Sequence, residues 1–421
     1  MVTHSDYTFY FDESFHDQKI VIENDGRINT MVDGALDTYV GLFWGCKDEE
    51  HGKNVDALLE FENKWKRTFN MCNEIELKTS SISRKYFKRG IQSFNKNTLN
   101  FYTDLFSLVC DIRPIIQVEL ISKMEFLIRH AFRGITFRSP FVDEDAFFYV
   151  LTKFLITYGD GGLTAALYNV NSRASADNLK RKIIHTLDNV LKAIKNIRRK
   201  EVEYSSLLGF RQALIESRMD IKIKTQYDFQ YYPNFDGLCN LLEEIEIDPQ
   251  DVRLFIDYDE KTYSQAKSYP FKEIEKVDSK EVVQIRLSDW LSGFIGRMIY
   301  AISNDPEMAE DKITDIKKLT ENDLETKRII GPKWFEISEE GFNLYKLIFK
   351  ALVENQQHYW SVMTLAYGDE ASLYTSLIQY IGLYDDYRSY KNVDSNAHRE
   401  KYNGYCIQKI QDKYQRHNRY V

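Results

Sequence analysis

The sequence predicts an α/β fold in which a core of strands and helices carries large helical additions. Two runs rich in aromatic residues, 7–12 and 38–44, have the composition of buried strands, and a glycine-containing loop joins them, so we expect a hairpin. Apolar runs at 115–121 and 252–256 predict two further strands, with helical patterns between them. This order of strands and helices indicates an α/β core.

Helical periodicity is clearest in residues 178–200, where one apolar stripe recurs every three or four positions. The other predicted elements are helices at 55–69, 83–111 (in two pieces), 235–245, 288–302, 339–366 and 371–384, and a strand at 220–227. We expect Ser288 to cap the helix that it begins. The chain then divides into a core at residues 1–303, with a helical insertion at about 139–217, and a helical extension at 304–421.

The composition is that of a globular protein large enough to bury a substantial core, with 421 residues, 43% hydrophobic and 29% charged. The net charge of -8 does not indicate a polyanionic partner, nor does it exclude one, because a basic groove can be local. Five scattered cysteines without a CxxC pair argue against a disulfide scaffold or a zinc knuckle. Acids within residues 1–25 exclude a secretory signal, and the apolar stretch 146–158 is too short to span a bilayer, so we expect a cytoplasmic protein without a membrane partner.

Acidic residues recur where the predicted elements begin or end. Asp12 and Glu13 end the first strand, Asp257 ends the strand at 252–256, and Asp289 lies in the first turn of a helix. Turn chemistry or the helix dipole explains each of these acids singly. Adjacent buried acids are costly unless a cation compensates them, so their recurrence favours a shared metal site.

A short alternating segment adds one more acid and a base. Glu76 and Lys78 are two residues apart, so both side chains point to the same side of an extended chain. Lys78 is a candidate for contacting a phosphate or tuning the acids, and a surface salt bridge explains it equally well.

Three segments, in this order, resemble motifs of the DUF3800 family. Residues 9–14 (FYFDES) resemble its opening Y-I-D-E-S-G, residues 74–78 (EIELK) its internal E-x-K segment, and residues 278–293 its closing motif with a late aspartate. The resemblance covers ordered pieces of residues 7–300. Phe15 stands where the family has glycine and Ser288 where it has alanine, and neither departure removes a carboxylate.

The resemblance implies a ribonuclease H-like mixed sheet and two divalent ions held by acids from the first strand, a later strand and a late helix. It therefore implies a metal-dependent nuclease that hydrolyses phosphodiester bonds of DNA or RNA by a two-metal mechanism, in bacterial antiviral defence or a mobile element. Carboxylates alone suffice for Mg²⁺ or Mn²⁺, which prefer oxygen ligands. Asp12 would bridge both ions, Glu76 and Asp257 would hold one, and Asp289 the other. Glu13 is a further ligand if the strand has already turned there.

Two basic sets are candidates for a nucleic-acid surface, or are ordinary solvated faces. The set on the helix at 178–200 consists of Lys180, Arg181, Lys182, Lys192, Lys195, Arg198, Arg199 and Lys200. The set that follows the Glu76 segment consists of Arg84, Lys85, Lys88 and Arg89. The tyrosine-rich stretches 227–232 and 384–390 either stack on bases or pack in the core.

Two other functions stay open at this point. A non-catalytic module would keep the fold and bind nucleic acid or protein, and a phosphotransfer enzyme would use the same acids on a nucleotide. The sequence also leaves open a homo-oligomer and a partner protein of a defence system.

Overall fold

The computed structural model describes residues 6–15, 20–31, 35–219, 235–309, 320, 328–356, 361–363 and 367–416. It confirms the α/β class, with a mixed sheet that carries helices on both faces. The predicted strand at 220–227 and the tyrosine-rich stretch 227–232 lie outside the described residues. Within the described part of the chain, no helix has the length and apolar character needed to cross a bilayer.

The main sheet has the strand order β8-β7-β1-β2-β4-β9. The strands are β1 (Tyr7–Ser14), β2 (Thr38–Lys47), β3 (Lys88–Ile91), β4 (Ile115–Ser122), β5 (Ile135–Thr136), β6 (Arg218–Met219), β7 (Val252–Asp257), β8 (Glu273–Val277) and β9 (Ser361–Met363). Strand β2 runs antiparallel to β1 and β4, whereas β1, β7 and β8 are parallel to one another and β9 is parallel to β4. The predicted hairpin and the strands at 115–121 and 252–256 are confirmed.

Among the described residues, ten α-helices lie between β2 and the C-terminal region. They are α1 (His51–Thr68), α2 (Lys96–Ile112), α3 (Lys123–Ala131), α4 (Glu144–Tyr158), α5 (Gly161–Tyr168), α6 (Arg173–Ile194), α7 (Glu201–Glu216), α8 (Asp236–Glu244), α9 (Glu260–Ala266) and α10 (Val283–Ser303). After them come Pro306–Ala309, Glu339–Phe349, Asp369–Gly382, Tyr387–Lys391 and Ser395–Arg416.

Several predicted bounds are wrong. The first piece of 83–111 is a short 3₁₀ turn, Arg84–Phe87, followed by strand β3, and only the second piece is a helix. The helix predicted over 178–200 begins earlier and ends at Ile194. The helix predicted over 339–366 is an α-helix only at Glu339–Phe349, and strand β9 lies within the same predicted range.

Alternation along the strands sorts the core into two faces. Tyr10, Leu42 and Trp44 pack with α1, α2, α10 and the C-terminal helices on one face. Phe9 and Phe43 pack on the other face, in the cluster that α8 completes. Because neighbouring residues of a strand point to opposite faces, Asp12 shares the face of Tyr10 and Glu13 takes the opposite one.

Residues 123–216 are mostly helical, in helices α3 to α7, and we call this stretch the insertion. The division of the chain into a core, an insertion at about 139–217 and an extension stays a prediction. Helices α3 to α7 form a cluster of their own, in which the apolar stripe of α6 is buried as expected. Tyr39 and Ile121 join that cluster from the sheet, so the insertion packs on the face opposite Tyr10.

Helix α10 corrects the prediction that Ser288 is a helix cap. The helix begins at Val283 after Val282, so Ser288 and Asp289 lie in its second turn. Ser288 is buried, and its hydroxyl donates to the carbonyl oxygen of Tyr10 at 3.2 Å. The dipole of the first turn therefore does not explain Asp289.

Small residues let α10 lie directly on β1. Ser288, Ser292 and Gly296 are spaced by four and so lie on one side of the helix. The hydroxyls of Ser292 and Ser14 are 3.0 Å apart. A Cβ atom added at Gly296 would lie 2.5 Å from the ring of Phe15.

We expect Gly296→Ala to destabilise the protein by about 1–3 kcal/mol, because the added methyl overpacks the contact with Phe15. Gly209→Ala in α7 is the matched control, since a Cβ there meets nothing within 4 Å. It should leave stability unchanged or raise it by up to about 1 kcal/mol. Urea unfolding of both variants measures the difference, and equal stabilities would contradict the close contact.

Candidate functional site

The carboxyl ends of β1 and β7 place two of the predicted acids side by side. The strands are parallel, and Phe11 pairs with Ile256, so Asp12 and Asp257 follow at adjacent strand ends. Both side chains are partly exposed. The Oδ1 atom of Asp12 accepts from the backbone N–H of Glu13 at 2.8 Å. The Oδ1 atom of Asp257 accepts from the N–H groups of Tyr258 at 2.8 Å and Ser279 at 3.2 Å.

Helix α10 brings Asp289 to the same edge. Its Oδ2 atom accepts from the backbone N–H of Thr79 at 2.9 Å, and the Thr79 hydroxyl donates to the Asp289 carbonyl at 2.8 Å. A Cβ atom on Gly293 would lie 2.4 Å from the Thr79 side chain, so glycine is required for this approach. Asp289 is thus fixed between the helix and the segment that follows Glu76.

Buried polar contacts from α10 hold that segment along its length. Trp290 Nε1 donates to the carbonyl of Leu77 at 2.6 Å. Arg297 donates to the carbonyls of Thr79 at 2.7 Å and Ile82 at 2.8 Å. Since these side chains are buried, the backbone of residues 77–82 has little freedom to move relative to α10.

A buried ion pair completes the attachment. Glu62 of α1 accepts from the N–H of Leu77 at 2.6 Å through one oxygen and pairs with Arg286 through the other. Both charged side chains are almost fully buried. Removing one partner would leave an uncompensated buried charge, so the pair ties α1, α10 and the Leu77 segment together.

Two of the predicted acids have raised pKa values. Burial raises the pKa of Asp12 well above its ordinary value, and the nearby charges of Asp289, Glu13 and Asp257 raise it further. Burial also raises the pKa of Asp289, against the hydrogen bonds from Thr79, which lower it. Asp12 therefore lies close enough to Asp289, Glu13 and Asp257 for their charges to act on it.

Glu13 lies near the cluster on the other side of the sheet edge. Burial, followed by the charges of Asp259 and Asp257, raises its pKa to about 8. Strand β1 continues through Ser14, so the chain has not turned at Glu13. Asp259, which also caps α9 by accepting from the N–H of Thr262 at 2.8 Å, was not predicted. The D-Y-D sequence at the end of β7 carries the signal that could have found it.

Glu76 and Lys78 lie beside this cluster as a pair. Lys78 Nζ is 2.9 Å from Glu76 Oε1, which agrees with the expectation that both side chains point the same way. The hydrogen bond to Glu76 raises the pKa of Lys78, and the charges of Asp289 and Asp257 also raise it. Residues 74–78 form no strand, so the extended segment predicted there is irregular chain.

Phe15 shows how the chain accommodates the residue that replaces glycine. Its φ is 59°, in the left-handed region that glycine favours. The ring packs beside Gly296 and carries the guanidinium of Arg84 at 4.8 Å from its centroid. Arg84 therefore lies near the carboxyl end of β1, and Lys85 and Lys88, which follow it in sequence, are exposed.

The basic set predicted over 178–200 lies in the insertion, and several of its cations bind groups of the insertion itself. Lys180 donates to the carbonyls of Ile215 and Ser217, and Lys200 pairs with Glu203. The tyrosines of 384–390 pack mainly in the core of the C-terminal helices, with Tyr390 fully buried. Of the two sets, Arg84 is the member that the structure places over Phe15 at the end of β1, whereas Arg89 of the same set pairs with Glu307.

The donor chemistry of the cluster fits a hard divalent cation, because every predicted ligand is a carboxylate. The placement is less complete. Across the described ranges, no three His, Cys, Asp or Glu side chains are arranged to hold one ion. Asp12, Asp257 and Asp289 would have to turn toward one another to ligate it.

Comparison with protein-family models, with curated proteins and with solved structures finds no match to this chain. The family resemblance therefore stays a prediction, and the residues themselves carry the functional argument.

We expect the thermal stability of the metal-free protein to fall as pH rises from about 5 to about 9. Folding raises the pKa values of Asp12, Asp289 and Glu13, the last to about 8, so the folded chain binds more protons than the unfolded chain in this window. Its stability must then decrease as these protons dissociate. Thermal melts across this range measure the slope.

Glu13→Gln should flatten the upper part of that slope, and Asp188→Asn, a surface acid paired with Arg211 in the insertion, should not. Added Mg²⁺ should raise the melting temperature most at the alkaline end, where the acids are charged. An unchanged slope in Glu13→Gln would show that Glu13 is not a buried acid with a raised pKa.

Proposed function

We propose that this chain is a metal-dependent nuclease of ribonuclease H-like fold that hydrolyses phosphodiester bonds of DNA or RNA. The observation that carries the proposal is the crowding of Asp12, Asp257 and Asp289 at one sheet edge, where each strand end and α10 contribute one acid. A first strand, a later strand and a late helix are the sources that the resemblance implies. The mixed sheet with antiparallel β2 supports the same assignment.

Asp12, Asp289 and Asp257 would hold Mg²⁺ or Mn²⁺. Glu13 and Glu76 are the predicted ligands that lie beside these three aspartates. A pair of such ions supplies charge stabilisation for the attacked phosphate and an activated water. The chain's own residues do the positioning. Backbone N–H groups orient one oxygen of each aspartate.

Lys78 and Arg84 are the cations best placed for the substrate. Lys78 is mostly exposed although it pairs with Glu76, and its charge interacts with Asp289 and Asp257. Arg84 extends over Phe15 at the end of β1. The carboxylates alone would repel an approaching phosphate, and the positive charges of Lys78 and Arg84 would offset that repulsion.

A non-catalytic module that binds nucleic acid is the second candidate. The arrangement that favours it is the absence, over the described residues, of three side chains ready to hold one ion. In that case the basic residues near β1 would bind the backbone, and the acids would set the pH range of binding.

We expect Asp12→Asn and Asp289→Asn each to lower Mg²⁺-dependent cleavage by more than about 100-fold, since loss of even an outer partner of a metal ligand costs about 10–100-fold. Both amides can still accept the hydrogen bonds from Glu13 and Thr79, and each change removes a repulsive charge. The melting temperature should therefore stay unchanged or rise. Labelled DNA and RNA, single- and double-stranded, with Mg²⁺, Mn²⁺ or EDTA, form the assay.

Asp188→Asn should cleave like the unchanged protein, because Asp188 pairs with Arg211 far along the chain from the acid cluster. Full activity in Asp12→Asn would remove that residue from the mechanism. Metal-independent binding without cleavage of any substrate would favour the binding module.

We expect the triple change Arg84→Ala, Lys85→Ala and Lys88→Ala to weaken nucleic-acid binding. It should also reduce the salt dependence of binding by about one unit of slope for each phosphate that the three side chains neutralise. The matched control is Lys192→Ala, Lys195→Ala and Arg198→Ala on the insertion, which removes the same charge. Fluorescence anisotropy at several salt concentrations measures both. A larger effect of the control would move the binding surface to the insertion.

A further inference from the structure

A cleft of about 640 Å³ opens between the start of α1, the first turn of α10 and the middle of β1 and β7. Tyr10 and Phe255 line it from the sheet, His51 from α1 and Gln284 from α10. We call it the Phe255 cleft. Its volume falls within the roughly 300–1,000 Å³ that ligand pockets in proteins span.

The Phe255 cleft and the acids share one face of the sheet. Tyr10 precedes Asp12 by two residues on β1, and Phe255 precedes Asp257 by two on β7. Two residues of a strand span roughly 7 Å. A group bound against these rings would therefore lie beside the carboxylates.

The floor of the cleft is a fixed aromatic surface. The ring of Phe255 stacks on Tyr10 with centroids 5.5 Å apart and an angle of 17°, and Tyr10 stacks on Trp44 at 5.0 Å. Tyr10 OH is 2.9 Å from His51 Nδ1, and His51 Nε2 is 3.1 Å from Gln284 Nε2. Tyr10 and Trp44 are buried, whereas Phe255 is only partly buried, so its ring is the one that faces the cleft. A flat apolar surface of this kind suits a planar aromatic ring.

Two of the cations that line the cleft are engaged within the protein. Arg286 pairs with Glu62 and donates to the carbonyl of Ser279 at 2.6 Å. Lys66 is 3.5 Å from Glu62 and also donates to the carbonyl of Ile75. These two charges are already compensated, and Lys280 is the remaining lysine or arginine of the lining. Because the acids Glu62 and Glu281 line the same cleft, it offers less to a phosphate than to a base.

We propose that the Phe255 cleft binds one unpaired nucleobase of the strand whose backbone lies at the acid cluster. The inference rests on the proposed action of that cluster on nucleic acid, and it narrows the substrate to single-stranded DNA or RNA or to unpaired ends. A base held in a duplex is not free to enter. Stacking of one base on an aromatic side chain strengthens binding by about ten-fold or more.

An abasic scan tests the cleft directly. Single-stranded oligonucleotides that each lack one base, at successive positions, are bound to the full-length protein in EDTA and followed by anisotropy. In the unchanged protein we expect one position at which the missing base weakens binding about ten-fold. In Phe255→Ala, removing the base at that position should not weaken binding any further. Phe255→Leu keeps apolar volume without the ring, so it should lose the same position-specific effect while retaining its thermal melt.

Phe141→Ala is the matched control, because Phe141 is a 93% exposed aromatic residue on the insertion and lies outside the cleft. It should leave the abasic profile unchanged. A flat profile in the unchanged protein, an identical profile in Phe255→Ala, or equally tight binding of a duplex would overturn the proposal. Because binding is measured without divalent ions, a base-dependent profile without cleavage would refute the nuclease and keep the cleft. Cleavage with a flat profile would do the reverse.

Discussion

The contact between helix α10 and strand β1 is the constraint on which the rest of the site depends. Ser288, Ser292 and Gly296 allow the helix to lie against the strand, and a larger side chain at Gly296 would collide with Phe15. The close approach fixes the height of Asp289 above the sheet. It also fixes Arg297 and Trp290, which hold residues 77–82. One helix thus sets the positions of two sequence-distant parts of the acid cluster.

That geometry forces carboxylates together at an energetic cost. Backbone N–H groups from Glu13, Thr79, Tyr258 and Ser279 offset part of it by hydrogen bonding to the charged forms. Burial raises the pKa values of Asp12 and Asp289, and the charges of the neighbouring acids raise that of Asp12 further. A fold does not retain such repulsion without compensation elsewhere, and here the compensation is the buried packing of α10. Acids with raised pKa values at the carboxyl ends of strands are therefore more informative about function than acids on a solvated helix.

The sequence predicts the strands in which apolar residues recur and misses those in which they do not. Strands β1, β2, β4 and β7 are readable because apolar residues recur along them, whereas β8, with the sequence EIEKV, pairs at an edge and carries mostly charge. Ser288 is misleading as a cap because a serine before apolar residues has the same local pattern whether it begins a helix or packs inside one. Only the tertiary contact with Tyr10 distinguishes the two.

The site residues divide in the same way. Asp12, Asp257 and Asp289 are predictable because each adjoins apolar sequence at an element that contacts β1. Thr79 and Arg297 are not, since their roles depend on hydrogen bonds across more than two hundred residues. Local patterns contain no record of such pairs, so only the folded structure reveals them.

The coverage of the sheet links the acids to the cleft. Along β7, Val252, Leu254 and Ile256 are buried on one face, whereas Arg253, Phe255 and Asp257 on the other are only partly buried. Helix α10 packs over β1 and β2 and so leaves this face of β7 less covered. A partly exposed aromatic side chain such as Phe255 is normally covered by another element, because exposed aromatic surface is unfavourable in water. Here it leads from Phe255 to Asp257. The same opening that lets solvent reach the carboxylates therefore gives a ligand an aromatic surface next to them.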